Sequence, residues 1–216
     1  MIITIANQKG GSGKSTLCLN IAMKFFLDKK DIVVLDTDVQ KSIETFSDIR
    51  LEKGMECFPL FNRTGNITDI VKQMMSKYEN ILIDTKGEDS LESRKAMLLS
   101  DLIIIPSTPS QLDVAVLSEM FERIEEIQSI NAKTKACVVM NRMPPIPYLK
   151  EKEAMKGFIL ENKKNSHIEL LERIISERIA LKRSVSEGLS IFEYNDLKAK
   201  NEFLRFYQEI SSKFLQ

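Results

Sequence analysis

The sequence predicts an α/β domain: a doubly wound, mostly parallel sheet with helices on both faces. Three observations carry that prediction. Short apolar runs alternate with longer stretches whose apolar residues recur three and four apart. The runs are continuously apolar and rich in Ile and Val, as strands buried on both faces require. A glycine-rich loop joins the first run to the first helical stretch, which puts a phosphate-binding turn at the start of a βα unit. The chain has 216 residues, a length that suits one domain spanning 1–216.

In chain order, Ile2–Ala6 reads as the first strand and not as a signal peptide, because no basic leader precedes it. The loop Asn7–Thr16 opens a helix, and Ile32–Leu35 is the next strand. Ile67, Ile70, Val71, Met74 and Met75 form one helical stripe, read as core packing. Ile81–Ile83 and Leu102–Ile105 follow as strands. Ser110 is placed to cap a helix whose stripe is Leu112, Val116, Met120, Ile124 and Ile127. Ala136–Met140 is another strand, after which Pro144-Pro145-Ile146-Pro147 stops any element that tries to cross it. Lys150–Lys163 is helical, while Ile168–Ile175 suits either a further helix or a last strand.

Composition narrows the function classes. Hydrophobic residues make up 43% and charged residues 29% of the chain, an ordinary globular balance. No run approaches the roughly 18 apolar residues of a membrane span, so the expected address is the cytoplasm. Cys18, Cys57 and Cys137 are far apart with no CxxC pair, which argues against a disulfide framework or a thiolate metal site. The net charge is zero, so no global field points to nucleic acid. Residues 1–141 carry 17 basic and 20 acidic side chains and 142–216 carry 14 and 11, a faint bias toward a basic C-terminal face.

The chemistry begins at Asn7-Gln8-Lys9-Gly10-Gly11-Ser12-Gly13-Lys14-Ser15-Thr16. Glycines let the backbone curl so that successive N–H groups converge, and the helix that follows adds its positive N-terminal end; together they cradle a polyphosphate. Gly10, Gly11, Ser12, Gly13 and Thr16 belong to this cradle. Lys14 reaches the β- and γ-phosphates, and the Ser15 hydroxyl is placed to ligate Mg²⁺. The standard P-loop asks for glycine where Gln8 stands, and an extra lysine, Lys9, follows it.

The run KGGSGKST resembles the deviant Walker-A signature of the ParA/MinD-type ATPases, and the resemblance extends over nearly the whole chain. It implies ATP and Mg²⁺ as cofactors, with Lys9 reaching the phosphates bound by the other subunit of a homodimer, as an arginine finger does in trans. Asp36-Thr37-Asp38-Val39-Gln40 is similar to the family's DxDPQ element, with Val39 in place of proline. By that likeness Asp38 orients the attacking water and Asp36 supports the metal, although helix capping is the plain alternative for either. Ile81-Leu82-Ile83-Asp84 has the Walker-B arrangement, with Asp84 holding Mg²⁺ through water. Lys86 departs from the family's DTPG. Pro106–Asp113 is similar to a loop at the dimer face. Asn141 and Arg142 resemble the base-recognition element, since an Asn amide can pair with the edge of adenine. Lys182 and Arg183, in a late basic helix, are candidates for phosphate contacts with DNA or simply a solvated face.

The resemblance implies a plasmid or chromosome partition ATPase. Its ATP dimer would bind DNA nonspecifically at the nucleoid, and a ParB-like centromere-binding protein would reset it through hydrolysis. A membrane-positioning ATPase of the MinD type would need its amphipathic tail, Phe203–Leu215, free for lipid; the few lysines there point instead to packing on the body, so no membrane partner is expected. A metabolic P-loop ligase is the remaining alternative, and an iron–sulfur carrier would need paired cysteines.

Overall fold

The apolar runs form strands because their Ile and Val side chains are buried on both sides. In this computed structural model, residues 1–109, 111–144, 149–162 and 168–215 are described, with the backbone alone at 111–115 and 149–152. The elements are β1 (Ile2–Ile5), α1 (Lys14–Leu27), β2 (Ile32–Asp36), α2 (Ser42–Glu52), β3 (Leu60–Asn62), α3 (Thr68–Met75), β4 (Asn80–Asp84) and α4 (Leu91–Leu99). They continue as β5 (Leu102–Ser107), α5 (Gln111–Ile130), β6 (Lys135–Met140), α6 (Leu149–Asn162), β7 (Ile168–Leu170), α7 (Ile179–Ser186) and α8 (Leu197–Phe214). The seven strands pair in the order β3-β2-β4-β1-β5-β6-β7, every pair parallel. The chain winds outward from β1 to β3, returns through β4, and then builds the other half, so all strand ends that carry loops toward a ligand lie on one edge.

Alternation along the strands sorts the core into two faces. Ile3, Ile5, Val34, Leu82, Ile104 and Val139 meet α1 and α8. On the other face Val33, Leu35, Ile81 and Ile83 meet α3, while Ile103, Ile105, Val138 and Met140 meet α5 and α6. The amphipathic tail is part of this packing: Phe203, Phe206, Tyr207, Ile210 and Phe214 of α8 are all buried. Tyr207 meets Phe25 of α1 edge-on, with ring centroids 6.0 Å apart. Each such side chain contributes about 1.5–3 kcal/mol by leaving water. Cys18 and Cys137 are buried and Cys57 half-buried, all three as free thiols.

Two elements differ from the expectation. β3 is an edge strand of three residues, half-buried to exposed, and is not among the expected strands. At Ile168–Ile175 the strand alternative is the one adopted, but only over Ile168–Leu170. Beyond it, Leu171 donates to Val138 and Ile175 to Met140 through irregular backbone. The expected Ser110 cap, the breaker Pro145–Pro147, the stripe side chain Leu112 and the end of the predicted helix at Lys163 lie outside the described residues, as does the side chain of Asp113.

Candidate functional site

The loop after β1 is held from below. Asn7 Nδ2 donates to the Pro106 carbonyl at 2.6 Å, and its Oδ1 accepts from Lys9 N–H at 2.8 Å. Gly11 (φ 75°) and Gly13 (φ 91°) take left-handed conformations that side chains disfavour. The helix α1 begins at Lys14 with no side-chain cap, which leaves its first N–H groups for an anion. Lys14 is buried, and its Nζ donates to the Lys9 carbonyl at 3.0 Å. Burial lowers the pKa of this ammonium, against the opposing pull of Asp84 and then Asp38.

The carboxylates arrive from the neighbouring strands. Thr37 stitches β2 to β4 by donating its N–H and hydroxyl to the Asp84 carbonyl, and Thr85 Oγ1 donates to Ile5 O of β1 at 2.9 Å. Asp36 and Asp84 are register partners, both buried. Burial pushes Asp84 up to about 8; the nearby Ser15 hydroxyl, outside good hydrogen-bond geometry, draws it down, and the charge of Asp36 raises it. Burial likewise pushes Asp36 up to about 6, against the Asp38 N–H donated to its Oδ1 at 2.9 Å. Asp36 Oδ2 and both Asp84 oxygens are buried without a hydrogen-bond partner. Asp38, half-buried, accepts from Gln40 N–H at 2.9 Å.

From the far side, Asn141 Nδ2 donates to Ser12 O at 2.7 Å and Arg142 Nη1 to Gly11 O at 2.6 Å. Arg142 Nη2 also bonds Glu177 Oε1 at 2.6 Å, which Lys182 approaches to 3.7 Å. Among these parts lies a cleft of about 630 Å³, within the usual range for a small-molecule site. It is lined by Gly10, Gly11, Gly13, Lys14, Ser15 and Thr16, by Asp38, by Lys86–Glu88, by Asn141 and Arg142, and by Ser176–Arg178 with Leu181, Lys182 and Val185 of α7.

The cleft therefore joins most of the residues singled out in the sequence. Ser12 is buried in the loop with its Oγ unpartnered, and Asp36 lies deeper than Asp38. Lys9 is half-buried on the loop and outside the cleft lining. Lys182 and Arg183 are both exposed, and of the two only Lys182 lines the cleft. Sequence reasoning missed the Ser176–Arg178 wall, the threonine stitches and the tightness at Gly87. A Cβ at Gly87 would lie 2.7 Å from Gly10 Cα and 3.1 Å from Lys14 Nζ. The glycine in DTKG was the one visible signal of that approach.

The residues present fit a polyphosphate with a hydrated cation. Orphaned carboxylate oxygens in a buried setting call for a donor or a metal. Among the described residues no group of three His, Cys, Asp or Glu side chains could hold a metal ion by itself. A cation here would thus keep water and phosphate oxygens as ligands, which suits Mg²⁺, with Ser15 as the protein ligand and Asp84 behind it.

The fold is similar to that of McdA from Cyanothece: its apo form gives a TM-score of 0.75 at 15% identity, covering 97% of this chain and 98% of that one. An ATP complex of a variant of the same protein gives 0.72 at 15% identity, covering 97% and 96%. In sequence, the chain is 24% identical over 193 residues to the maintenance of carboxysome distribution protein A of Halothiobacillus neapolitanus, covering 88% of this chain and 86% of the relative. It is 25% identical over 181 residues to Protein ParA of Rhizobium radiobacter, covering 83% and 79%. The family model of the CobQ/CobB/MinD/ParA nucleotide-binding domain matches residues 3–191, and the chain belongs to that family.

Proposed function

We propose that this chain is an ATP-driven switch of the partition type, acting as one domain over residues 1–216. ATP and Mg²⁺ close two copies into a homodimer that holds DNA without sequence preference. A ParB-like partner at centromere-like DNA stimulates hydrolysis and so releases the dimer. The observation that carries this reading is the convergence, at one edge of the sheet, of the double-lysine P-loop with Asp38 and the buried register pair Asp36 and Asp84, three of whose carboxylate oxygens lack a hydrogen-bond partner.

Lys14 and the loop N–H groups hold the phosphates. Lys9 stands outside the lining of its own cleft and reaches the partner copy's nucleotide. Asp38, on the cleft wall, orients water for attack. Bound Mg²⁺ supplies charge neutralisation at the phosphates, and Ser15, Asp84 and Asp36 hold it and its water shell. Lys182 and Arg183 are candidate DNA contacts. The burial of the α8 apolar face supports the DNA reading over a lipid-bound tail.

A second reading changes the cargo and keeps the switch. The relative from Halothiobacillus is named for carboxysome distribution, so the partner would be a protein-assembly adaptor.

The test compares ATP with ADP. Light scattering should report a dimer, and a filter-binding assay should retain DNA, with ATP alone; retention should fall steeply with salt. The Lys9→Gln variant should bind ADP normally yet fail to dimerise. Equal DNA retention in ADP and ATP overturns the switch, and normal dimerisation of Lys9→Gln removes Lys9 from the interface. Stimulation by a centromere-binding protein, or by a carboxysome adaptor instead, separates the two cargoes.

A further inference from the structure

We infer that Asn141 and Arg142 are positioning residues for the P-loop, holding two of its carbonyls so that the opposing N–H groups stay aimed at phosphate. The inference rests on the nucleotide-binding reading and deepens it. In a planar trans peptide the carbonyl of one residue points opposite to the N–H of the next. A loop that gathers N–H groups on an anion must turn its carbonyls away, and each of those needs a donor. Gly11 O, opposite Ser12 N–H, takes the guanidinium of Arg142 at 2.6 Å. Ser12 O, opposite Gly13 N–H, takes the Asn141 amide at 2.7 Å. One dipeptide at the end of β6 thus fixes two consecutive peptide planes of the cradle.

The local backbone is built for this. Successive side chains on a strand point to opposite faces, so an extended Asn141–Arg142 could not bring both to the loop. Arg142 instead takes a left-handed conformation, φ 54°, which non-glycine residues seldom adopt. Asn141 is anchored by its own N–H to Ser107 O at 2.7 Å. Its amide fills the space that Gly13 leaves: a Cβ there would lie 2.4 Å from Asn141 Nδ2. The second arm of Arg142 is fixed by Glu177, whose N–H bonds Met143 O at 2.7 Å.

This assignment differs from base recognition. Base reading would fall to the second Nδ2 hydrogen and to Oδ1, whereas the bond that the buried amide makes here is to Ser12 O. A carbonyl accepts only, so the amide orientation follows from its partner.

The experiment titrates ADP, GDP and inorganic pyrophosphate into the wild type, Asn141→Ala, Arg142→Ala and Arg142→Lys, with thermal melting to verify folding. Loss of a positioning donor should weaken all three ligands by the same factor, about tenfold, for about 1.4 kcal/mol. The ratio of ADP to GDP affinity should stay at its wild-type value. Arg142→Lys keeps a donor for Gly11 and should recover most of the loss; because Arg142 is partly exposed, this pair reports even if Asn141→Ala unfolds. Selective loss of ADP with unchanged pyrophosphate affinity overturns the inference in favour of base reading. Wild-type affinity in both Arg142 variants, or in the alanine variants alike, also overturns it. A wild type that binds none of the three ligands instead overturns the nucleotide reading, and this inference with it.

Discussion

Replacing Asp84 by Asn should make the nucleotide-free protein more stable, and increasingly so as pH rises. Asp84 is fully buried and neither oxygen has a hydrogen-bond partner, so its charged form is disfavoured and its pKa rises from 3.8 to about 8. The folded state then binds the proton more tightly than the unfolded chain. For a carboxyl raised in this way, stability is greatest below the unfolded pKa, falls as pH climbs toward the folded value, and is flat above it. Each pH unit inside that window is worth about 1.4 kcal/mol, so the group costs the folded state about 4 kcal/mol between about pH 5 and about pH 8. Asparagine carries no titrating proton. Its unpartnered amide adds a constant cost, which shifts the comparison but not its slope. Asp36, pushed up to about 6, titrates in both proteins and largely cancels. Urea unfolding in EDTA at the two pH values measures the difference directly. The stability of Asp84→Asn relative to wild type should grow by about 4 kcal/mol across the range. A difference that stays flat would refute the account of Asp84 as a carboxyl whose burial outweighs the pull of Ser15 and Lys14. Mg²⁺ with ADP should reverse the order, stabilising the wild type more than the variant.

Three further outcomes follow from the same geometry. Asp38→Ala should lower phosphate release by about 100-fold while nucleotide affinity stays within about threefold, because a group that orients water acts mainly in the transition state; a parallel loss of affinity would make it a binding residue. Gly87→Ala should cost about tenfold or more in ADP affinity, about 1.4 kcal/mol, since its Cβ would meet Gly10 Cα at 2.7 Å; wild-type calorimetric titrations would show that the DTKG turn moves away freely. Arg50→Ala should destabilise the fold by about 3 kcal/mol in urea unfolding, because buried Arg50 makes a two-armed bond to Glu193 at 2.8 and 2.9 Å and donates to Gly188 O and Glu56 O. A loss below about 1 kcal/mol would mark that pair as dispensable.

What was legible in the sequence was what depends on near neighbours. The P-loop is a contiguous run whose glycines and lysines announce their own geometry, and five strands were visible because each is a block of Ile, Val and Leu. β3 carries no such block: Leu60 to Asn62 is a half-exposed edge, held because Val34 N–H reaches the Pro59 carbonyl and Arg63 N–H the Asp36 carbonyl. The stretch after β7 was ambiguous for a different reason. Its apolar spacing suits a helix, yet its backbone N–H groups are taken by carboxylates far along the chain: Glu172 and Arg173 by Glu209, and Ser176 by Glu202, each at 2.7–2.8 Å. No local pattern records a partner on α8. That same dependence governs the cleft wall, because Glu202 also takes Ser176 Oγ and Arg178 Nη2 and so braces the segment that faces the P-loop. The identity of Asn141 was likewise visible while its partner was not: Ser12 stands 129 residues earlier. Residues that do chemistry on phosphate are thus written in one run, whereas those that hold that run in shape come from the ends of β6 and β7 and from α8, and only the folded chain brings them within reach.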